Sequence, residues 1–250
     1  MQKALRILAP LAVAAVPLAL AGPAHAAGTN YSTTLNPLNH ASGSGMLTLN
    51  LNGSSATVTE SFSGLAGTFN GAPYPHVQHI HIDGQGACPT TQADKNGDGV
   101  ISTTEGGPAY GAIGTTLSTK GDTSAAAGTN IKIAPGGSST SYKRTIQLDP
   151  KTVSSIQNGT AVIVVHGLDP ATLSKQAQGE KSDLVPSLPL AATSPALCGA
   201  LSAMPSGGVA TGNGSTSGME DSGLLGLAGG LVAGGAGLAL YSVRRRTVKA

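Results

Sequence analysis

Four of the six histidines in this chain crowd into two short stretches, His76-Val77-Gln78-His79-Ile80-His81 and His166 at the end of Ala161-Val162-Ile163-Val164-Val165. Residues two apart on an extended strand share a face. His79, His81 and Asp83 should therefore point one way, and Ile80 and Ile82 toward a core. His76 falls on the opposite face unless a bulge brings it round. Two imidazoles on one strand face and a third from another strand form a nitrogen set suited to copper or zinc. The candidate ligands are thus His79, His81 and His166, with His76 as a fourth.

A second chemistry is written between Asp94 and Glu105, in Asp94-Lys95-Asn96-Gly97-Asp98-Gly99-Val100-Ile101-Ser102-Thr103-Thr104-Glu105. Calcium takes six to eight hard oxygens. Asp94, Asn96 and Asp98 offer side-chain oxygens at alternate positions, Val100 a backbone carbonyl, Ser102 a direct or water-mediated contact, and Glu105 both carboxylate oxygens. Gly99 permits the sharp turn between them. This spelling resembles the EF-hand loop, which implies a bound calcium ion. The flanks differ from a regulatory EF-hand. Pro89 limits an entering helix to a turn or two, and Gly106-Gly107-Pro108 should stop an exiting one at once. A single structural calcium site is expected, without a conformational switch.

Other chemistry finds little support. No Gly-x-Ser-x-Gly, P-loop or dinucleotide fingerprint is present. Asp149-Pro150 and Asp169-Pro170 read as turn residues. No catalytic residue is assigned.

The elements that must hold these groups are strands. The chain has 250 residues with 36 Gly and 15 Pro, no Trp, and few charges. Such a composition favours turns and extended chain over long helices. Short β-branched or alternating runs recur at Met46–Leu51, Ala56–Phe62, Val77–Ile82, Asn130–Ile133, Tyr142–Leu148 and Ala161–Val165. Turn residues such as Asn52-Gly53, Gly64 and Asn158-Gly159 separate them. The pattern predicts one all-β domain over residues 28–201, an antiparallel sandwich or barrel.

The two ends read as addresses. Residues 1–26 have a basic start at Lys3 and Arg6, an apolar run, and Ala24-His25-Ala26 as a cleavage site, the pattern of a secretory signal. Residues 202–222 form a Gly/Ser/Thr-rich stalk. Residues 223–243 lack charge and suit a transmembrane helix, and 244–250 carry Arg244-Arg245-Arg246 as a cytoplasmic tail. Stalk, apolar run and tail resemble the sorting region of Gram-positive wall-anchored proteins, although the Leu-Pro-x-Thr-Gly pentapeptide is absent. The body should face outside, held by the membrane or linked to the wall. Cys88 and Cys198 should then pair as a disulfide in that oxidising compartment. The formal charge of +2 comes from the termini. Without Lys3, Arg6, Arg244, Arg245, Arg246 and Lys249 the body is mildly acidic, which argues against a nucleic-acid partner.

Gly64-Leu65, His76-x-x-His79-x-His81, Gly86-x-Cys88, Val164-Val165-His166 and Cys198-Gly199 together resemble, in order, landmarks of the copper/zinc superoxide dismutases. The same segment resembles the CHRD (chordin-type) domain of secreted bacterial proteins. The resemblance implies a Greek-key barrel, the Cys88–Cys198 disulfide, and copper on His79, His81 and His166. Two departures bear on activity. No histidine lies between His81 and His166 to bridge to zinc, and Pro195 stands where the dismutases keep an arginine. The expected function is a surface-anchored, calcium-binding β module that holds copper. The alternative is a copper-dependent, dismutase-like redox enzyme.

Overall fold

A computed structural model describes residues 28–205. The expected export segment 1–26, the stalk beyond residue 205, the apolar run 223–243 and the basic tail 244–250 lie outside the described residues. Among those described, no helix is long and apolar enough to cross a membrane.

The body is mostly β. Eleven strands run in chain order: β1 Thr29–Pro37, β2 Ser44–Asn52, β3 Ser55–Ser63, β4 Thr68–Phe69, β5 Ala72–Pro73, β6 Gln78–Asp83, β7 Gly111–Thr116, β8 Ser139–Gln147, β9 Val162–His166, β10 Pro195–Ala200 and β11 Ser202–Ala203. Nine form one antiparallel sheet in the order β7-β6-β9-β10-β1-β2-β3-β8, with β11 also on β1; β4 and β5 make a separate small hairpin. The sheet curls into a half-barrel. Across its opening, Arg144 on β8 donates to the Ser118 carbonyl and hydroxyl and to the Gly121 carbonyl, at 2.9, 2.7 and 2.6 Å. Ser118 and Gly121 lie just beyond β7, so this one guanidinium ties the two edge strands together.

Period-two alternation explains which residues fill the half-barrel. Leu47, Leu49 and Leu51 of β2 face inward, with Ala56, Val58 and Phe62 of β3 and Tyr142 and Ile146 of β8. Each fully buried Leu or Val contributes about 1.5–3 kcal/mol relative to exposure. β6 and β9 are buried on both faces, since short helices and loops cover their outer side. Of four helices, α1 Thr103–Tyr110 packs Tyr110 with Val162 and Val164 on that outer side, whereas α2 Pro150–Gln157, α3 Lys175–Gly179 and α4 Leu190–Thr193 place Ile156, Ala177, Leu190 and Ala191 in the main core. Asp149 caps α2 through the amides of Lys151 and Thr152, and Asp169 caps the short turn at Pro170–Thr172. Both Asp-Pro pairs are therefore structural starts.

The strands expected at Met46–Leu51, Ala56–Phe62, Val77–Ile82, Tyr142–Leu148 and Ala161–Val165 form with shifted ends. Asn130–Ile133 does not. Residues Ile131–Ile133 make a 3₁₀ turn, begun by the Asn130 side chain, which accepts from the Lys132 amide. The expected stalk also starts later than residue 202. Ser202 and Ala203 pair with Ser32 and Tyr31 of β1, and the Met204 amide donates to the Asn30 carbonyl. Main-chain pairing overrides the loop-like composition there. Cys88 and Cys198 form a disulfide with Cα atoms 5.8 Å apart. It fastens β10 to the segment that leads from β6 into the Asp94–Glu105 loop.

Alternation also delivers one carboxyl to the core. Glu60 lies between Val58 and Phe62 on the inward face of β3, opposite Tyr142. Neither of its oxygens has a hydrogen-bond partner, and the Tyr142 hydroxyl and Gln78 Oε1 are likewise unpaired and buried. Burial pushes the Glu60 carboxyl up to about 8, with the nearby Gln78 amide offsetting a little. Below the ordinary value of 4.5 both folded and unfolded chains hold this proton. Between 4.5 and about 8 folding must take the proton up, so stability falls as pH rises through that window. In Glu60→Gln, urea midpoints should lose most of that decline and exceed the parent's at about pH 8. Parallel pH profiles for the two proteins would contradict the assignment. A second expectation concerns the disulfide: Cys88→Ser/Cys198→Ser should unfold about 2–5 kcal/mol more easily in the same assay.

Candidate metal centre

His79 and His81 stand on the outer face of β6, and β9 brings His166 beside them. The register pairs His79 with Val164, and the His166 amide donates to the Val77 carbonyl. His166 thus lies diagonally across from His79 on a shared face. All three rings are at most 3% exposed. Ring centroids are 5.4 Å apart for His79–His81, 5.2 Å for His79–His166 and 5.9 Å for His81–His166. One ligating nitrogen from each lies within 4.8 Å of the other two. Among the described residues, this is the cluster of three such groups that could hold a metal ion.

Backbone carbonyls decide which nitrogen each ring offers. His79 Nε2 meets the Gly128 carbonyl at 3.0 Å, His81 Nδ1 meets that of Gly111 at 2.9 Å, and His166 Nδ1 meets that of Thr193 at 2.6 Å. A carbonyl accepts only, so these nitrogens carry the hydrogens. The remaining ones, His79 Nδ1, His81 Nε2 and His166 Nε2, are buried without a partner. Burial lowers His81 to about 3 and His166 to about 4, and with its two neighbours holds His79 well below the ordinary value. At neutral pH the rings are uncharged and three lone pairs are available. An unpaired buried polar nitrogen costs free energy. A bound cation removes that cost at all three at once, and a hydrogen-bonded far nitrogen is the usual outer partner of a metal-bound imidazole. The residues therefore fit a metal ion.

His76 is not among them. Its Nδ1 meets the His166 carbonyl and its Nε2 the Ala66 carbonyl, both at 2.9 Å. With both nitrogens so engaged it fixes the end of β9 from behind. The expectation that Asp83 shares the face of His79 and His81 also fails. Asp83 takes a φ of 64° as the chain leaves β6, and its side chain is exposed.

The Asp94–Glu105 loop folds on its own oxygens. Asp94 accepts from the amides of Gly97 and Gly99, Asn96 Oδ1 from Asp98, and Asp98 Oδ1 from Val100. Gly97 and Gly99 have φ of 74° and 89°, a region that costs glycine little. Ser102 caps α1 and Glu105 reaches back to the Ser102 amide, while its other oxygen accepts from Lys95. Each of these carboxylates is engaged by amides of the loop itself. A carboxylate with no signal in the loop pattern joins them. Glu180 at the end of α3 accepts from the Asn96 side chain at 3.4 Å, and the nearby Asp98 carboxylate raises its carboxyl above the usual range.

The helix leaving the loop was expected to stop at Gly106-Gly107-Pro108, yet α1 runs through them to Tyr110. Tertiary packing overrides local propensity. The Tyr110 ring folds back over Gly106, and its hydroxyl donates to the Thr103 carbonyl at 2.8 Å. The same ring packs on His81 at 4.6 Å, and the next residue, Gly111, supplies the carbonyl for His81. Thr103 also donates to the Thr193 carbonyl that receives His166. Thus α1 joins the acidic loop to the trio. These contacts come from carbonyls and folded-back rings, which spacing does not reveal.

No family model matches the chain, and no curated protein matches it.

A methyl group at position 106 would meet the Tyr110 ring at 2.5 Å. Gly106→Ala should therefore cost about 1–3 kcal/mol of stability in a thermal or urea melt, because the buried ring must shift. An unchanged midpoint would show that the ring is free to move.

Proposed function

We propose that this chain is an exported, surface-anchored protein whose all-β body is of the CHRD and dismutase-like Greek-key type, and that it works as a metal-holding binding or structural module. His79, His81 and His166 would hold copper, a metal that imidazole nitrogen suits. The observation that carries this reading is the convergence of three buried, unpartnered nitrogens whose far sides are fixed by the backbone. The strand order, with β9 between β6 and β10 and β1 beside β10, supports the Greek-key assignment. The disulfide supports an oxidising compartment, and the export and anchoring segments rest on residues 1–26 and 202–250.

Bound copper would supply redox chemistry at the trio, so a dismutase-like enzyme stays the alternative. The module reading is favoured because, among the described residues, no lysine or arginine lines the cavity in front of the trio. Pro195, at the position the dismutases give to arginine, is buried in β10. A small anion would find no side-chain cation there to draw it in.

A titration of the metal-free full chain with Cu²⁺, against Zn²⁺ as competitor, tests the site. One ion per chain should bind, and His79→Ala and His166→Ala should each weaken binding by about 100-fold or more. Binding that is unaffected by either change would overturn the assignment. Rapid superoxide turnover by the copper-loaded chain would favour the enzyme instead.

A second ion belongs in the same reading. Asp94, Asn96, Asp98, Val100, Ser102 and Glu105 would hold calcium, and Glu180, which accepts from the Asn96 side chain, adds a further carboxylate beside the loop. Millimolar calcium should raise the melting midpoint of the parent and leave Asp94→Ala/Glu105→Ala unchanged. An equal rise in both would rule out this loop.

A further inference from the structure

A cavity of about 400 Å³ opens onto the imidazole trio. Its walls include Val77, Ala112, Ile113, Val185, Leu188 and Ala192, and among the described residues no Lys, Arg, Asp or Glu lines it. The hydroxyls nearest the metal ligands are already committed. Thr103 donates to the Thr193 carbonyl, Tyr110 to the Thr103 carbonyl and Thr193 to the Ser182 hydroxyl, at 2.7, 2.8 and 2.6 Å. The buried polar atoms left without partners along this wall are the three imidazole nitrogens themselves.

The rim carries an independent sign. Ile131 and Leu184 are 55% and 48% exposed, and both line this cavity. They come from separate segments, the 3₁₀ turn before β8 and the loop between α3 and α4. Two large apolar side chains left in water at one mouth are a cost that an apolar occupant would remove.

We propose that this cavity takes a small, uncharged, largely apolar organic molecule that offers one lone pair to the metal. The metal half rests on the reading above; the apolar half rests on the cavity alone. An anion entering here would lose its hydration and meet no charged side chain, whereas an aromatic or aliphatic body exchanges water for the walls just described. The volume accommodates a ring system of modest size.

The full chain loaded with Co²⁺, whose visible spectrum reports its ligands, allows a direct comparison of 4-phenylimidazole, imidazole and azide. The phenyl group should tighten binding about 10-fold or more over imidazole, by burying one ring. Azide should bind more weakly than 4-phenylimidazole. Ile131→Asp/Leu184→Asp should bring the two imidazoles level, with the cobalt spectrum itself reporting that the trio is intact. Azide as the tightest ligand, no gain from the phenyl group, or a gain that survives in the variant would each overturn the proposal. Failure of the chain to take up either Co²⁺ or Cu²⁺ would instead overturn the metal half. The cavity is then read on the metal-free chain with uncharged N-phenyl-1-naphthylamine. A one-to-one rise in emission that the variant loses supports the apolar half, and no rise overturns it.

Discussion

Three backbone carbonyls govern this site. Those of Gly111, Gly128 and Thr193 each hold the far nitrogen of one buried imidazole, and so decide that the near nitrogens face one another without a proton between them. A histidine free to rotate would turn its nitrogens toward water or another acceptor. Here the facing nitrogens are buried, and the rings are locked in the tautomers that a metal needs. The arrangement costs stability in the metal-free chain, where three polar atoms are desolvated with nothing in exchange. That cost is what an ion would relieve, so affinity and folding are linked through the same three atoms.

The carbonyls come from three different places, which makes the half-barrel a positioning frame. Gly111 opens β7, Gly128 lies in the long connection from β7 to β8, and Thr193 ends α4 just before β10. The Thr193 carbonyl is also held from beyond the trio, by the Thr103 hydroxyl of α1. Asn39 bonds both the Ile101 and Pro195 carbonyls, which links the acidic loop to the start of β10. Ser174 donates to the Asp98 carbonyl and joins that loop to α3. The loop, α1 and α4 therefore form a continuous polar and aromatic brace around the outer side of β6 and β9. A cation in the loop would stiffen that brace at a distance from the imidazoles, without touching them.

Much of the scaffold was legible because strand alternation is a local property. Leu47, Leu49 and Leu51, or Ala56, Val58 and Phe62, announce both a strand and its buried face. The pair His79 and His81 follows from the same rule, and His166 from the strand that ends in it. What spacing could not supply is everything set by tertiary approach. His76 looks like a ligand in the sequence, yet two carbonyls from other segments claim it. Gly106-Gly107-Pro108 looks like a stop, but the Tyr110 ring needs the bare glycine and carries the helix on. Glu60 sits at a core position by alternation and is polar all the same, a conflict visible in the sequence only once the strand's inner face is known. Ser202-Ala203 reads as linker because its pairing partner lies at the far end of the chain, in β1.

X-ray absorption at the copper edge of the copper-loaded full chain reads out which atoms hold the ion. Three imidazole nitrogens at about 2.0 Å, with the scattering pattern of intact rings and one fewer ring in His81→Ala, are the expected result. A shell dominated by oxygen, or one that His81→Ala leaves unchanged, would place the ion elsewhere and contradict the account.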